Sequence, residues 1–310
     1  MINTLTLNPA LDEIIYLDSF RRNVTNRIAG KATTMGGKGT HVSMNLRVMG
    51  TTSRAFGFAF GRNGRRIIKM IEDSGVIPVF VYGSEGESRV NYLIVEEATK
   101  DSTLVCDKGP EPTEDHMIAL LALMQESIRD GDLLALSGDT SNFADPFIYN
   151  RVLDALSDKR IRVFLDASGK SLGACVTRSP FLIKPNDDEL SGLTGRAIAT
   201  DADIIRAIAD LDKHHIEVVA VTLGGRGALV RAWDRLYRVR PPEVRVYNTV
   251  GCGDCFVAGL LDGFEKGADF EETLIYATAA SAAMAEEALS VNFDAARARA
   301  LCPMVTIERI

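Results

Sequence analysis

Short runs of β-branched and aliphatic residues recur along the chain at 4–7, 54–58, 133–136, 162–165, 181–183 and 218–222. Most are separated by stretches in which apolar positions repeat with the 3.6-residue period of a helix. That alternation predicts a mostly parallel sheet with helices on both faces, because parallel strands need crossovers that cover the sheet. A further β-branched run, 244–247, reads as a strand leading into an apolar helix that starts near Phe256. Helices are also expected over 39–49, from Pro185 through Leu190, and over the alanine-rich 273–289. Two segments break the rhythm, about 13–34 and 88–107. They hold extended runs at 14–16, 29–33, 90–95 and 102–105 with no helical period between them. Both read as insertions in one continuous domain over 1–310, and together they predict a small second sheet lying over the ligand site as a lid. Met35, Met44, Met49, Met70 and Met284 fall at core positions and read as filler.

Bulk properties narrow the function. In 310 residues, 46% are hydrophobic and 25% charged, with a formal charge of −7. That balance argues against a nucleic-acid surface, so any phosphate site has to be built from locally placed groups. No apolar run approaches the ~20 residues of a membrane span, and the first residues read as a strand rather than a leader, so a cytoplasmic location is expected. The five cysteines are scattered and odd in number, which suits free thiols. Cys252 and Cys255 form a CxxC with no second pair, which argues against a zinc ribbon.

The chemistry concentrates in glycine-rich segments that follow strands, where ligands of open α/β sheets bind. Asn248-Thr249-Val250-Gly251-Cys252-Gly253-Asp254 places an acid at a helix start. Amides there lack intrahelical partners and favour anions, and the two glycines let the backbone approach a phosphate. A base beside a nest of amides is what phosphoryl transfer to a hydroxyl needs. Thr6-Leu7-Asn8-Pro9-Ala10-Leu11-Asp12 puts another acid at the carboxyl end of the first strand, suited to sugar hydroxyls or to an Asx turn. Gly36-Gly37-Lys38-Gly39 offers backbone that can approach a polyol. In Lys184-Pro185-Asn186-Asp187-Asp188-Glu189-Leu190, Asn186 and Glu189 share a helical face; they suit hydrated Mg²⁺ near phosphate, or an acidic first turn on the helix dipole. Thr222-Leu223-Gly224-Gly225-Arg226-Gly227-Ala228 offers amides and a hydroxyl to a nucleotide, or forms a hairpin turn. Ser168-Gly169-Lys170-Ser171 lacks the leading glycine of a P-loop, since Phe164 stands there.

In this order, TLNPALD, GGKG, KPNDDEL, TLGGRGA and NTVGCGD resemble the ribokinase-like, or phosphofructokinase B, carbohydrate kinases from Thr6 to about Val291. The opening motif is similar to the branch acting on sugar phosphates, 1-phosphofructokinase and tagatose-6-phosphate kinase among them. The resemblance implies a ribokinase-like α/β/α fold and ATP-dependent phosphorylation of a ketohexose phosphate with Mg²⁺. By the same resemblance, Asp254 is the base and the amides of Gly251, Cys252 and Gly253 form the anion hole. Asp12, Gly37, Lys38, His41 and Asn91 hold the sugar, while Arg27 and Arg89 grip its phosphate, as the guanidinium fork suits. Lys184, Asn186, Thr222, Gly224 and Gly227 meet ATP, and Asn186 and Glu189 organise Mg²⁺ through water or phosphate. Three departures stand out. His41 replaces a usual asparagine, Asp139 lies in a Ser-Gly-Asp-Thr-Ser that the family writes Ser-Gly-Ser-Leu-Pro, and Asn248 replaces the acid of potassium-activated members. Asp139 and His41 leave open a kinase for an unphosphorylated sugar or nucleoside, and a silent sugar-binding protein is the alternative from another class. An uncovered lid edge suggests a homodimer.

Overall fold

The computed structural model describes residues 1–99, 101–138 and 140–310. In chain order its strands are β1 (Ile2–Thr6), β2 (Ala10–Leu17), β3 (Gly30–Gly36), β4 (Ser53–Phe60), β5 (Ile77–Gly83), β6 (Arg89–Glu96), β7 (Ser102–Val105), β8 (Leu133–Gly138), β9 (Arg162–Ala167), β10 (Leu182–Ile183), β11 (Val218–Thr222), β12 (Ala228–Ala232), β13 (Arg235–Arg240) and β14 (Thr306–Arg309). The helices are α1 (Lys38–Val48), α2 (Gly61–Asp73), α3 (Glu114–Ser127), α4 (Ile148–Ala155), α5 (Gly169–Val176), α6 (Asp187–Thr194), α7 (Asp201–Ala209), α8 (Cys252–Lys266), α9 (Phe270–Ala285) and α10 (Ala295–Leu301).

The main sheet runs β14-β13-β12-β11-β10-β9-β8-β1-β4-β5, parallel from β5 to β11 and antiparallel beyond. Alternate residues of each buried strand feed opposite cores. Leu134 and Leu136 pack with α3, α4, α5 and α7, whereas Leu133 and Ala135 pack with α1, α8, α9 and α10. This is the expected three-layer arrangement. The methionines sit as expected: Met35, Met44 and Met284 are buried, and Met49 and Met70 pack against the core. Close approach of α8 to α9 needs small residues, since a methyl at Gly259 would overlap Ala277. Helix α9 begins before the alanine run, at Phe270, because Asp269 accepts from the amides of Glu271 and Glu272 and caps it there.

A second, four-stranded sheet, β3-β2-β6-β7, is built from the two segments expected to form the lid, with β2 antiparallel to β3 and parallel to β6. It begins at Ala10 and its first hairpin closes at Gly36, somewhat wider than the pattern implied. Asp12 is therefore the third residue of a lid strand, not the end of the first core strand, because Asn8-Pro9 already separates the two. The segment 244–247 is not a strand. Pro241 and Pro242 end β13, lacking the N–H groups a ladder needs, and Val246 and Tyr247 remain exposed. Strands β5, β12, β13 and β14 were not foreseen. Asp139 lies outside the described residues.

Candidate functional site

The site lies where the carboxyl ends of β1, β9 and β10 meet the start of α8 and the root of the lid. Gly251 is the N-cap of α8 at φ +86°, a left-handed conformation that favours glycine. A Cβ there would also overlap the Ser290 carbonyl. With no side chain on the cap, the first amides of α8 are not claimed by a capping group. The Cys252 amide makes a long 3.3 Å bond to the Thr249 carbonyl. Asp254 stands in this first turn, 6% exposed.

From α1, His41 reaches across to it: Nδ1 lies 2.7 Å from Asp254 Oδ2, and Nε2 lies 2.7 Å from the Met35 carbonyl oxygen. Both ring nitrogens are thus taken, and His41 has none left for the sugar hydroxyl expected of it. Burial opposes charge on the ring, but the hydrogen bond and charge of Asp254, then the charge of Asp12, outweigh it and hold His41 above its ordinary value. Asp12 is buried on the lid side, and Asn91 Nδ2 donates to its Oδ1 at 2.8 Å. Burial pushes the Asp12 carboxyl up, against the lowering effects of His41, Asn91 and Arg89. Its carboxylate lies against Gly36, where a methyl would overlap it.

Arg89 is buried at the first position of β6, and its Nε donates to the Asn8 carbonyl at 3.0 Å. Its neighbour in the expected phosphate grip, Arg27, is elsewhere. Gly30 pairs with Tyr16, so Arg27 lies past a point about 13 Å along the strand from Asp12, exposed on the β2–β3 connection. The reason is register: Arg27 falls in the hairpin loop, three residues before β3 starts.

On the other side of Asp254, Lys38 and Lys184 both pair with Asp166 Oδ1, at 3.3 and 3.1 Å. Gly253 faces this group: a Cβ built on it would sit 3.6 Å from Lys184 Nζ. Burial alone would raise the Asp166 carboxyl, but the two ammonium groups hold it down. In turn, the Asp166 charge holds Lys38 up. Asp166 escaped the sequence reading, although an acid ending a predicted strand is the signal that drew notice at Asp12. Its Oδ2 is buried without a hydrogen-bond partner among the described residues.

Asn186 and Glu189 form a reciprocal capping box at the start of α6. Asn186 Oδ1 accepts from the Glu189 amide at 2.7 Å, and the Asn186 amide donates to Glu189 Oε2 at 3.0 Å. Thr222 bridges Asn186 at the end of β11, and Gly224 to Gly227 turn the chain into the antiparallel β12, so this loop is also a hairpin connection. Burial pushes the Cys252 thiol to about 12 and the Cys255 thiol well above its ordinary value, which leaves little thiolate for redox exchange.

The family model described as pfkB family carbohydrate kinase matches residues 5–294. The chain belongs to the pfkB carbohydrate kinase family. It is 31% identical to the 1-phosphofructokinase of Bacillus subtilis (strain 168) over 312 residues, covering 100% of both chains. It is 32% identical to a tagatose-6-phosphate kinase of Staphylococcus epidermidis over 303 residues, covering 95% of this chain and 96% of that one. Phosphofructokinase-2 from Escherichia coli, solved in complex with substrates and products, superposes with a TM-score of 0.92 at 25% identity, covering 98% of each chain. As a pfkB kinase the chain is a phosphotransferase that acts on a sugar hydroxyl. No helix among the described residues is long and apolar enough to cross a membrane.

Proposed function

We propose that this kinase transfers the γ-phosphoryl group of ATP to a hydroxyl of a ketohexose phosphate, with Asp254 as general base. The observation that carries the reading is the position of that buried carboxylate: it joins a glycine-capped helix start to a lid-side cluster and a lysine pair. The acceptor rests under the lid against Asp12 and Asn91, and Arg89 is the chain's own candidate for its existing phosphate. In-line attack then breaks the acceptor O–H bond to Asp254 and forms the new O–P bond while the bond to the nucleotide's oxygen breaks. The amides of Gly251 and Gly253, with Lys184 and Lys38, hold the charge spread over the migrating group. The names of the relatives, a 1-phosphofructokinase and a tagatose-6-phosphate kinase, support a phosphorylated ketohexose as acceptor.

Mg²⁺ fits the donors present without a dedicated cage. Among the described residues no three His, Cys, Asp or Glu side chains converge to hold a metal directly. Asp166 Oδ2, buried and unpartnered, and the Asn186–Glu189 pair would organise the ion through water and phosphate oxygens. Bound there, it would neutralise charge on the nucleotide's phosphates. The lid exposes Phe20, Ile28, Tyr92, Leu104 and Val105, which supports a homodimer formed through this sheet.

A coupled ADP-release assay over fructose 1-phosphate, tagatose 6-phosphate, fructose 6-phosphate and the unphosphorylated sugars tests the acceptor. Turnover confined to unphosphorylated sugars would overturn the phosphosugar assignment. Asp254→Asn tests the base: kcat is expected to fall about 10³-fold or more, with acceptor KM nearly unchanged. Wild-type turnover in that variant would remove Asp254 from the mechanism.

A further inference from the structure

The contact between His41 and Asp254 has a proton count that constrains its charge. Nε2 lies 2.7 Å from the Met35 carbonyl, which only accepts, so Nε2 carries hydrogen. Nδ1 lies 2.7 Å from Asp254 Oδ2, and a carboxylate also only accepts, so a second proton lies in that contact. Either neutral tautomer beside an ionised Asp254 would set lone pair against lone pair in a buried place. The second proton belongs to the ring, since imidazolium is the weaker acid by about 2.6 units in water. The surroundings add to that preference. His41 is faced by Asp254 from α8, by Asp12 from β2 and by the Met35 carbonyl from β3; the cations Arg89 and Lys38 stand behind these, acting on Asp12 and Asp254. Two carboxylates and a carbonyl thus surround one ring.

Resting on the reading of Asp254 as base, we propose that His41 is its positioning residue. Its imidazolium is held between Asp254 and the Met35 carbonyl, fixes Oδ2 and leaves Oδ1 to take the acceptor's proton, so turnover falls once the ring loses its second proton. No other hydrogen bond from a described residue holds the Asp254 side chain, so among these residues His41 is its one hydrogen-bonded anchor. Loss of the Nδ1 proton turns that attraction into repulsion, and the carboxylate must rotate or take up a proton itself; in either case it ceases to be an aimed base. His41 touches neither the acceptor nor the phosphoryl group in this arrangement.

The sign of the pH effect follows from the direction of the shift. A ring held above its ordinary value keeps its second proton at low and neutral pH and loses it as pH rises through the raised value. The expected signature is an alkaline decline in kcat that the asparagine usual in the family would not produce.

Two measurements test this. The chain has only four histidines, so ¹⁵N-histidine NMR of the whole protein can follow the His41 ring through a pH titration. Both ring nitrogens are expected to be protonated at neutral pH, and the second proton should leave across the range in which kcat declines. In His41→Asn the alkaline decline should vanish, with both KM values within about threefold of wild type. A neutral His41 ring at neutral pH, or an unchanged alkaline decline in His41→Asn, overturns the proposal. Should that variant fail to fold, the wild-type titration set against its own kcat profile decides alone. An inactive Asp254→Asn beside a neutral His41 ring sinks this inference and spares the base; an active Asp254→Asn sinks both.

Discussion

The two sides of Asp254 are built differently. Toward the lid, Asp12, His41, Arg89 and Asn91 are each less than 10% exposed, and each is hydrogen-bonded to another part of the chain. Toward the nucleotide loops, Asn186 and Gly224 are exposed and Thr222, Glu189 and Gly227 only half-buried. The proposed acceptor side is therefore preorganised, its polar groups already desolvated, whereas the proposed nucleotide side is an open shelf of backbone and a helix start. A buried, cross-braced pocket rejects a ligand lacking a matching group, because the unmatched partner is left unpaired. An open shelf binds through many weak contacts and discriminates less. Selectivity for the acceptor should accordingly depend on single residues, and affinity for ATP on no one of them.

Arg89 gives the largest expected break. Arg89→Gln removes the buried fork proposed to hold the acceptor's phosphate and should lower kcat/KM for the phosphosugar by about 10²-fold or more, mainly through KM. The KM for ATP should stay within about twofold. Steady-state kinetics with each substrate varied in turn checks this, with melting temperature as a control, since Arg89 also braces the Asn8 carbonyl. Equal losses on both substrates would erase the contrast between the two sides.

Asn186→Ala probes the open side and should matter less. Loss of the capping box should cost about 1 kcal/mol of stability. The KM for MgATP should rise about fivefold, with acceptor KM unchanged. A rise in acceptor KM instead would place α6 on the wrong side of the site.

Much of this division was legible in the chain itself, and what was not has a common cause. The parallel strands, both lid segments and the glycine-flanked acid are local patterns: β-branched runs, interrupted periodicity, a turn that needs φ > 0. Even the capping box was readable, since Asn-x-x-Glu before an apolar residue is the motif itself. The pairings that set charge are long-range. His41 meets Asp254 across 213 positions, and Lys38 meets Asp166 across 128. Nothing in a single sequence announces such partners, so His41 read as a sugar ligand and Asp166 not at all. The distance of Arg27 from Asp12 within the chain has a different origin: a motif position says which strand pair a residue joins, not how far along the hairpin its register carries it. The antiparallel edge of β12 to β14 was missed because a glycine-rich loop after a strand fits a nucleotide contact and a hairpin equally well, and here it joins β11 to the antiparallel β12.

That loop supplies the finest test of the open side, because its two glycines of positive φ are glycine for different reasons. Gly224 has φ +57°, yet a Cβ built there meets nothing within 4 Å. Gly227 has φ +88°, and its Cβ would overlap the Val239 carbonyl of the neighbouring strand. Gly227→Ala must therefore push β12 and β13 apart as well as strain the backbone, and should lower the melting temperature by several degrees. Gly224→Ala carries only the left-handed strain, about 1 kcal/mol, on an exposed turn that can shift. If the Gly224 amide contacts nucleotide, its alanine variant should raise the KM for ATP about two- to threefold while acceptor KM and unfolding midpoint hold. An unchanged KM for ATP would remove this loop from the nucleotide side and leave it as the hairpin that joins β11 to β12.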